Sequence, residues 1–297
     1  MPISLKVDID TYNKIKEYYE PYNISFNGEY IDFVSVVDAT KITGYTSSKT
    51  YRKVVFEGDN DLLEASKWGE VEEKQEEVSE AKPGYIDIEE QIGSDEVGVG
   101  DYFLPMIVVA AYVRPQDMKR LKELGVSDSK KLTDKKIMEI GPYLVKEFIF
   151  SKLTLPNEKY NEQVSLGENS HSLKAKMHNR ALANLLKKYP DIYRIYVDQF
   201  VNGDKFYSYL NEKDEPIVKG IAFKTKGESF FPSVALASVI ARYSLLLEKE
   251  KLDNKYQVNF PFGASKKVDE FAHQLSAKIS KEEFDKLVKQ NFKNFSR

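Results

Sequence analysis

The apolar positions change period along the chain, and those changes mark out its elements. Near the N-terminus Tyr12, Ile15 and Tyr19 recur at helical spacing, and Asp10 is placed to cap a helix ending at Tyr19. Short β-branched and aromatic runs follow at 23–26, 30–37, 40–45 and 51–56, separated by turn signals at Asn27-Gly28 and Ser47-Ser48. Asp59 then opens a helix carrying Leu62, Leu63 and Trp68. Helix, strands, helix in that order predicts a small α+β unit with helices packed on one face of a sheet.

The stretch 70–84, EVEEKQEEVSEAKPG, breaks the pattern. Dense in glutamate and poor in large apolar groups, it buries too little to offset the entropy of ordering it, and reads as a linker or an exposed helix. Either way it is a boundary. The chain divides into an N-terminal unit at 1–68, an acidic linker at 69–84 and a larger unit at 85–297.

In the larger unit the patterns lengthen. Strands are expected at 86–96 and 105–113, joined by a glycine-rich turn at 98–101, and again at 191–198 and 216–223. Helices are expected at 135–147, 172–188 and 234–251, with a helical region from Val268 onward. The run MIVVAAYV at 106–113 does not alternate, which is typical of a strand covered on both faces. The expectation is an α/β fold, a mixed sheet sandwiched by helices, with no internal repeat.

Composition narrows the function classes. The 297 residues suffice for two cores, and 41% hydrophobic with 31% charged content is that of an ordinary soluble protein. No cysteine is present, which excludes disulfides, thiolate metal sites and cysteine nucleophiles and fits a reducing, cytoplasmic setting. The opening MPISLKVDID has no apolar core of signal-peptide length, and 106–113, the longest apolar run, is too short to span a bilayer. Neither membrane nor secretion is expected. A net charge of −3 and a pI near 5.9 give no global excess of lysine and arginine to displace counterions from a phosphate backbone. A nucleic-acid role must rest on local basic patches and on metal ions that bring their own charge.

The candidate chemistry lies in acids at strand ends. Asp95 and Glu96 end one strand just before the glycine turn, in GSDEVGVGD. Adjacent strand residues point to opposite faces, so a shared site requires a twist there or entry of Glu96 from the strand's edge. Such pairs are common on surfaces, but acids beside a buried sheet are costly unless cations or donors meet them. Asp198 repeats the pattern behind Ile192, Ile195, Tyr196 and Val197. Glu228, in KTKGES after the next strand, is either a helix-entry acid or a fourth member of the set. Three strand ends can thus deliver four carboxylates to one point. Oxygen-only ligands suit Mg²⁺ or Mn²⁺. Two such ions about 3.5–4 Å apart would activate a water and stabilise the leaving oxygen of a phosphodiester.

In order, GSDEVGVGDYF at 93–103, SDSKKL at 127–132 and VDQF at 197–200 resemble the type 2 ribonucleases H, most closely the ribonuclease HIII branch. NEKYN at 157–161, AKMHNRAL at 175–182, IARY at 240–243 and GASKKVDEFA at 263–272 are similar to that branch specifically. The resemblance spans roughly 85–297, and the N-terminal unit more weakly resembles the family's small TBP-like domain. It implies an RNase H-like fold and Mg²⁺- or Mn²⁺-dependent cleavage of the RNA strand of an RNA–DNA hybrid, leaving 5′-phosphate and 3′-hydroxyl ends. It puts the catalytic, metal-binding acids at Asp95, Glu96, Asp198 and Glu228. Two departures stand out. Phe103-Leu104-Pro105 has leucine where the family has glycine, so that side chain either crowds the turn or packs on the core. Val99 stands where the family has arginine, lysine or threonine, which leaves the backbone of Gly98, Val99 and Gly100 to contact a ribose 2′-hydroxyl.

Ser129, Lys130 and Lys131 are expected to touch phosphates, against the bland alternative of a solvated basic surface. Lys224 and Lys226 either contact phosphate or discourage edge-strand pairing. His178 and Asn179 read as structural, and His171 and His273 have no metal-site spacing. A grip on the hybrid by Tyr45, Tyr51, Arg52 and Lys53 is possible for the N-terminal unit, although acids outnumber bases there, 11 to 8 over residues 1–68. The competing readings are a hybrid-binding protein without turnover and a ribonuclease HII-like enzyme cutting at single embedded ribonucleotides. Against the latter, 259–264 reads NFPFGA, with no GYPT-like junction-sensing segment. A monomer is expected.

Overall fold

Where side chains alternate between buried and exposed, a sheet has one covered face; where they do not, it has two. Both situations occur in this chain, one in each of two compact units, Met1–Glu80 and Ala81–Arg297. The computed structural model describes residues 3–26, 30–37, 40–46, 51–58, 60–68, 85–126, 132–213 and 216–292. The expectations on Asn27-Gly28, Ser47-Ser48, Asp59, the acidic linker, and Ser129, Lys130 and Lys131 lie outside these residues, as do the side chains of Leu62 and Leu63.

The first unit is a four-stranded antiparallel sheet, β1 (Ile3–Val7), β2 (Ile31–Val37), β3 (Thr40–Tyr45) and β4 (Arg52–Gly58), in the order β1-β4-β3-β2. Ile42 pairs with Phe56 and Gly44 with Val54, so Ile42, Val54 and Phe56 share a face. Helix α1 (Ile9–Tyr19) lays Tyr12, Ile15 and Tyr19 against it. Its cap is Asp8, whose carboxylate accepts from the Thr11 amide at 2.8 Å; Asp10 already lies in the first turn. β1 was not expected, because ISLKV is a single short run ahead of the helix. The expected strand at 23–26 contributes only an isolated bridge, Asn23 to Ser35. The short helix α2 (Asp61–Ser66) follows β4.

The second unit holds a five-stranded mixed sheet: β5 (Gln91–Val97), β6 (Met106–Val113), β7 (Ile149–Leu155), β8 (Ile195–Asp198) and β9 (Ile221–Lys224), in the order β7-β6-β5-β8-β9. β5 is antiparallel to β6 but parallel to β8, and β8 is parallel to β9. Every residue of β6 is buried. Ile107, Val109, Ala111 and Val113 face a core shared with α4 (Asp134–Glu147) and α8 (Pro232–Tyr256). Val108, Ala110 and Tyr112 face another, shared with α6 (Ser170–Leu186). Each buried valine or isoleucine there contributes about 1.5–3 kcal/mol, which fixes β6 as an interior strand. The N-terminal half of α8 is buried all round, as expected of a helix wedged between a sheet and a second helix. Short helices α3 (Met118–Glu123), α5 (Asn157–Ser165) and α7 (Gly203–Ser208), with α9 (Lys266–Ser276) and α10 (Lys281–Leu287), complete the unit.

Several boundaries differ from the sequence expectations. Residues 86–90 precede β5 rather than forming its start, and Ile86 and Ile88 are exposed. Residues 216–220 likewise precede β9. β7 is an edge strand on which Lys152 and Thr154 are exposed and the other residues half-buried, so no continuous apolar run marks it.

Gly93 sets the distance between β5 and α8. A Cβ there would lie 2.4 Å from Ser233 Oγ and 2.6 Å from the Val234 backbone nitrogen, which cannot swing aside. Gly93→Ala is expected to cost about 1–3 kcal/mol, the usual range for overpacking. The measurement is a lowered urea midpoint at unchanged m-value.

Candidate active site

The parallel pairing of β5 with β8 brings two of the expected acids abreast. Ser94 aligns with Val197, so Asp95 and Asp198 follow side by side at the carboxyl ends of neighbouring strands. Glu228 lies in a 3-10 turn, Gly227–Ser229, at the end of the third strand of that series, β9. Ligand sites in such sheets gather outside these ends. Lys226 takes a left-handed backbone conformation (φ 58°), and the turn aims the Gly227 amide at Asp198 Oδ1, 2.8 Å away. Glu228 lies ahead of the first turn of α8, which itself carries no acid.

Asp95 and Glu96 keep to opposite faces of β5, as regular strand geometry requires. Asp95 turns toward α8, where Ser238 hydrogen-bonds it, and also accepts from the Glu96 amide at 2.7 Å. Glu96 turns toward α6. Lys174 Nζ donates to its Oε1 at 2.9 Å, and His178 Nε2 meets its Oε2 at 3.0 Å. His178 Nδ1 is 2.7 Å from Ser94 Oγ. A neutral imidazole satisfies both contacts when Ser94 donates to Nδ1 and Nε2–H donates to Glu96. Phe200 lies against both cation and ring, 3.9 Å from Lys174 Nζ and stacked on His178.

The two faces therefore carry their charge differently. Burial alone would raise the proton affinity of Glu96, but His178 and Lys174 outweigh it and hold its pKa at about 2. Asp95 goes the other way: burial first, then the charges of Glu96 and Asp198, push its pKa well above the usual carboxylate range. Burial also raises Asp198, with Glu228 and Glu96 adding to the effect and the Gly227 amide opposing it. Among the described residues neither Asp95 nor Asp198 has an ion-pair partner, and no three His, Asp or Glu side chains close around one point. All-oxygen donors carrying uncompensated negative charge fit a hard divalent cation.

Beside these acids the glycine turn also takes shape. Gly98 has φ +82°, and a Cβ there would sit 2.0 Å from the Pro105 carbonyl oxygen, so only glycine fits. The Val99 side chain packs inward against Met106, Tyr160 and Leu173. Leu104 is fully buried in the core shared with α8, so it packs rather than crowding the turn. Asn179 is structural as expected: it donates to the Pro216 carbonyl and accepts from the Val218 amide, tethering the approach to β9. Lys224 rests over the Phe230 ring at 4.1 Å. His178, expected to be structural, in fact touches a candidate acid. Lys174 went unnoticed in the sequence, although the i,i+4 spacing of Lys174 and His178 on one helix face was the available signal.

The opposite environments of Asp95 and Glu96 predict opposite stability effects in EDTA at pH 7. Asp95 binds its proton more tightly folded than unfolded, so its contribution is full below the unfolded pKa and lost as pH rises through the folded one. Asp95→Asn removes that penalty and should raise Tm by roughly 2–4 °C, the shift given by about 1 kcal/mol in a unit of this size. The depressed pKa of Glu96 contributes stability above the ordinary carboxylate range that is lost as pH falls toward about 2. Glu96→Gln strands buried Lys174 and should cost about 3–5 kcal/mol. Thermal melts of both variants against the unmutated protein check the two signs.

Comparison with known proteins follows the same lines. The family model for ribonuclease HII matches residues 92–295, and that for a domain of unknown function, DUF3378, matches residues 3–81. Ribonuclease HIII of Bacillus mycoides (strain KBAB4) is 40% identical over 272 residues, covering 88% of this chain and 86% of its own. Ribonuclease HIII of Bacillus cereus (strain AH187) matches to the same extent. Among solved structures, Bst-RNase HIII in complex with Mn²⁺ superposes with a TM-score of 0.67 at 31% identity, over 99% of this chain and 96% of that one. Aquifex aeolicus RNase H3, at 20% identity and a TM-score of 0.55 over 97% of this chain and 99% of that one, shares the fold. With acids at three adjacent strand ends and these relatives along nearly its whole length, the chain belongs to the ribonuclease HIII family.

Proposed function

We propose that this chain hydrolyses the RNA strand of RNA–DNA hybrids, leaving 5′-phosphate and 3′-hydroxyl ends. Asp95, Glu96, Asp198 and Glu228 are the catalytic acids in this reading, with Mg²⁺ or Mn²⁺ as the cation they hold. The observation that carries it is the pair Asp95 and Asp198, abreast on neighbouring strands, the first buried and the second half-buried, with their proton affinities raised by burial and by neighbouring charge. The Mn²⁺ complex of Bst-RNase HIII supports the choice of cation.

When bound, two such ions generate a nucleophile from water near neutral pH and stabilise charge on the leaving oxygen. The protein's own residues divide the remaining work. Asp95, Asp198 and Glu228 offer oxygens from three neighbouring strand ends. Lys174 and His178 keep Glu96 ionised and oriented. The backbone of Gly98, Val99 and Gly100 contacts the ribose 2′-hydroxyl that tells RNA from DNA. Ser129, Lys130 and Lys131 take phosphates, which set register without reading sequence.

The N-terminal unit, 1–68, binds substrate in this reading. Lys6, Lys53 and Tyr45 occupy paired positions on the sheet face away from α1, with Tyr51 beneath Lys6 at 5.2 Å, a basic and aromatic surface suited to a nucleic-acid backbone. No helix among the described residues is long and apolar enough to cross a membrane. A cytoplasmic monomer is the setting proposed.

A labelled RNA–DNA hybrid incubated with Mg²⁺ or Mn²⁺ tests the reading. Cleavage is expected within the RNA strand, falling roughly a hundredfold or more in Asp198→Asn. A duplex with a single ribonucleotide should be cut far less readily. Binding without cleavage in either ion, or an undiminished variant, sinks the proposal.

A further inference from the structure

The loop from Gly98 to Leu104 is held from behind by the end of the chain. Lys289 is completely buried. Its Nζ donates to three backbone carbonyls of that one loop: Gly98 at 2.7 Å, Asp101 at 2.6 Å and Leu104 at 2.5 Å. Its own amide donates to the Tyr102 carbonyl at 3.0 Å. Asn157, at the start of α5, ties the Phe103 carbonyl (2.9 Å) to the Leu287 carbonyl (2.6 Å), and the Gly263 amide donates to the Asp101 carboxylate. The carbonyls of Gly98, Asp101, Tyr102, Phe103 and Leu104 are thus all held from the inside.

A buried lysine needs a reason. Burial pushes its pKa down to about 7, with the charge of Asp101 opposing. Packing alone is served better by an apolar side chain of the same length. What an ammonium has, and a neutral amine or a methionine lacks, is three donors radiating from one point. Three carbonyl oxygens converge on them here, so the protonated group draws Gly98, Asp101 and Leu104 inward together. The peptide groups between are left facing out: Gly100 is exposed, and a Cβ added there would meet nothing within 4 Å. Among the described residues, no hydrogen bond engages the amide of Val99 or Gly100.

We propose that Lys289 is a positioning residue for RNA recognition, its ammonium fixing the loop that presents the Val99 and Gly100 backbone to a ribose 2′-hydroxyl. This rests on the hybrid-cutting reading, and it gives the C-terminal segment a part in telling RNA from DNA that no contact with substrate would reveal.

The test uses the full chain carrying Lys289→Met or Lys289→Gln, with folding checked by circular dichroism. Two quantities are read: hydrogen exchange of the loop amides, and the affinity ratio of a labelled RNA–DNA hybrid to the matching DNA duplex, by fluorescence anisotropy in EDTA. Lys289→Met should speed exchange at 98–104 while leaving α6 and α8 protected, and should lower the hybrid preference roughly tenfold, the scale of one well-made hydrogen bond. Lys289→Gln, with two donors in place of three, should fall between. A merely structural lysine would loosen the whole unit, or weaken both duplexes alike. Unchanged loop exchange, or an unchanged ratio in either folded variant, overturns the inference. If the unmutated protein does not prefer the hybrid, the substrate reading fails instead, and loop exchange still decides whether Lys289 orders the turn.

Discussion

The structure of the catalytic unit is organised around negative charge stored at the carboxyl ends of three parallel strands. Two like charges about 4 Å apart repel by roughly 4 kcal/mol even at the effective dielectric of a protein surface, and more when buried. β5 handles this by splitting its two acids between its faces. On the α6 face, Glu96 is compensated internally by Lys174 and His178, with Ser94 and Phe200 fixing the ring and the ammonium. On the α8 face, Asp95 and its neighbour Asp198 receive neutral donors, Ser238 and the Gly227 amide. The second face is thereby left in need of a cation. Strand alternation, a purely local rule, gives the two neighbouring acids different partners.

This separation explains how much of the site was legible in the sequence. The unbroken apolar run of β6 gave away a doubly covered sheet, and acids at strand ends beside it had to be either paired or functional. The parallel register that sets Asp95 beside Asp198 comes from long-range pairing, which no local pattern encodes. Lys174 was hidden for a related reason: a lysine just ahead of AKMHNRAL looks like any solvated helix lysine until the helix is docked. The edge strand β7 escaped because Ser151, Lys152 and Thr154 interrupt its apolar residues and leave no continuous apolar run. β1 was missed because its partner, β4, lies some fifty residues further on.

The glycine turn shows how departures from a family pattern are accommodated by packing. Leucine at 104 is absorbed by the core beneath α8, and valine at 99 turns its side chain toward Met106, Tyr160 and Leu173. Neither side chain occupies the outer surface of the loop. In the proposed reading recognition is left to peptide groups, whose orientation depends on what holds the loop from below. A loop that reads through its backbone has no side chain to adapt, so its rigidity has to come from elsewhere in the chain. Lys289 and Asn157 supply it from positions far away in sequence.

The acidic balance of the whole chain, which argued against a nucleic-acid partner, loses its force at this level of detail. Backbone binding depends on where cations sit, and a net charge of −3 over 297 residues says nothing of placement. Many of the lysines are spent in i,i+3 and i,i+4 pairs on helix surfaces, such as Lys136 with Glu139 and Lys281 with Asp285, which worth little singly do no more than solvate those faces. Lys6 and Lys53, by contrast, stand on the open face of a sheet beside tyrosines. In the proposed reading Asp95 and Asp198 would not oppose phosphate binding with a divalent cation between, since each ion would bring two positive charges to the place where the substrate's own charge must be met. Clustered carboxylates and a polyanionic substrate are compatible through the ion they share.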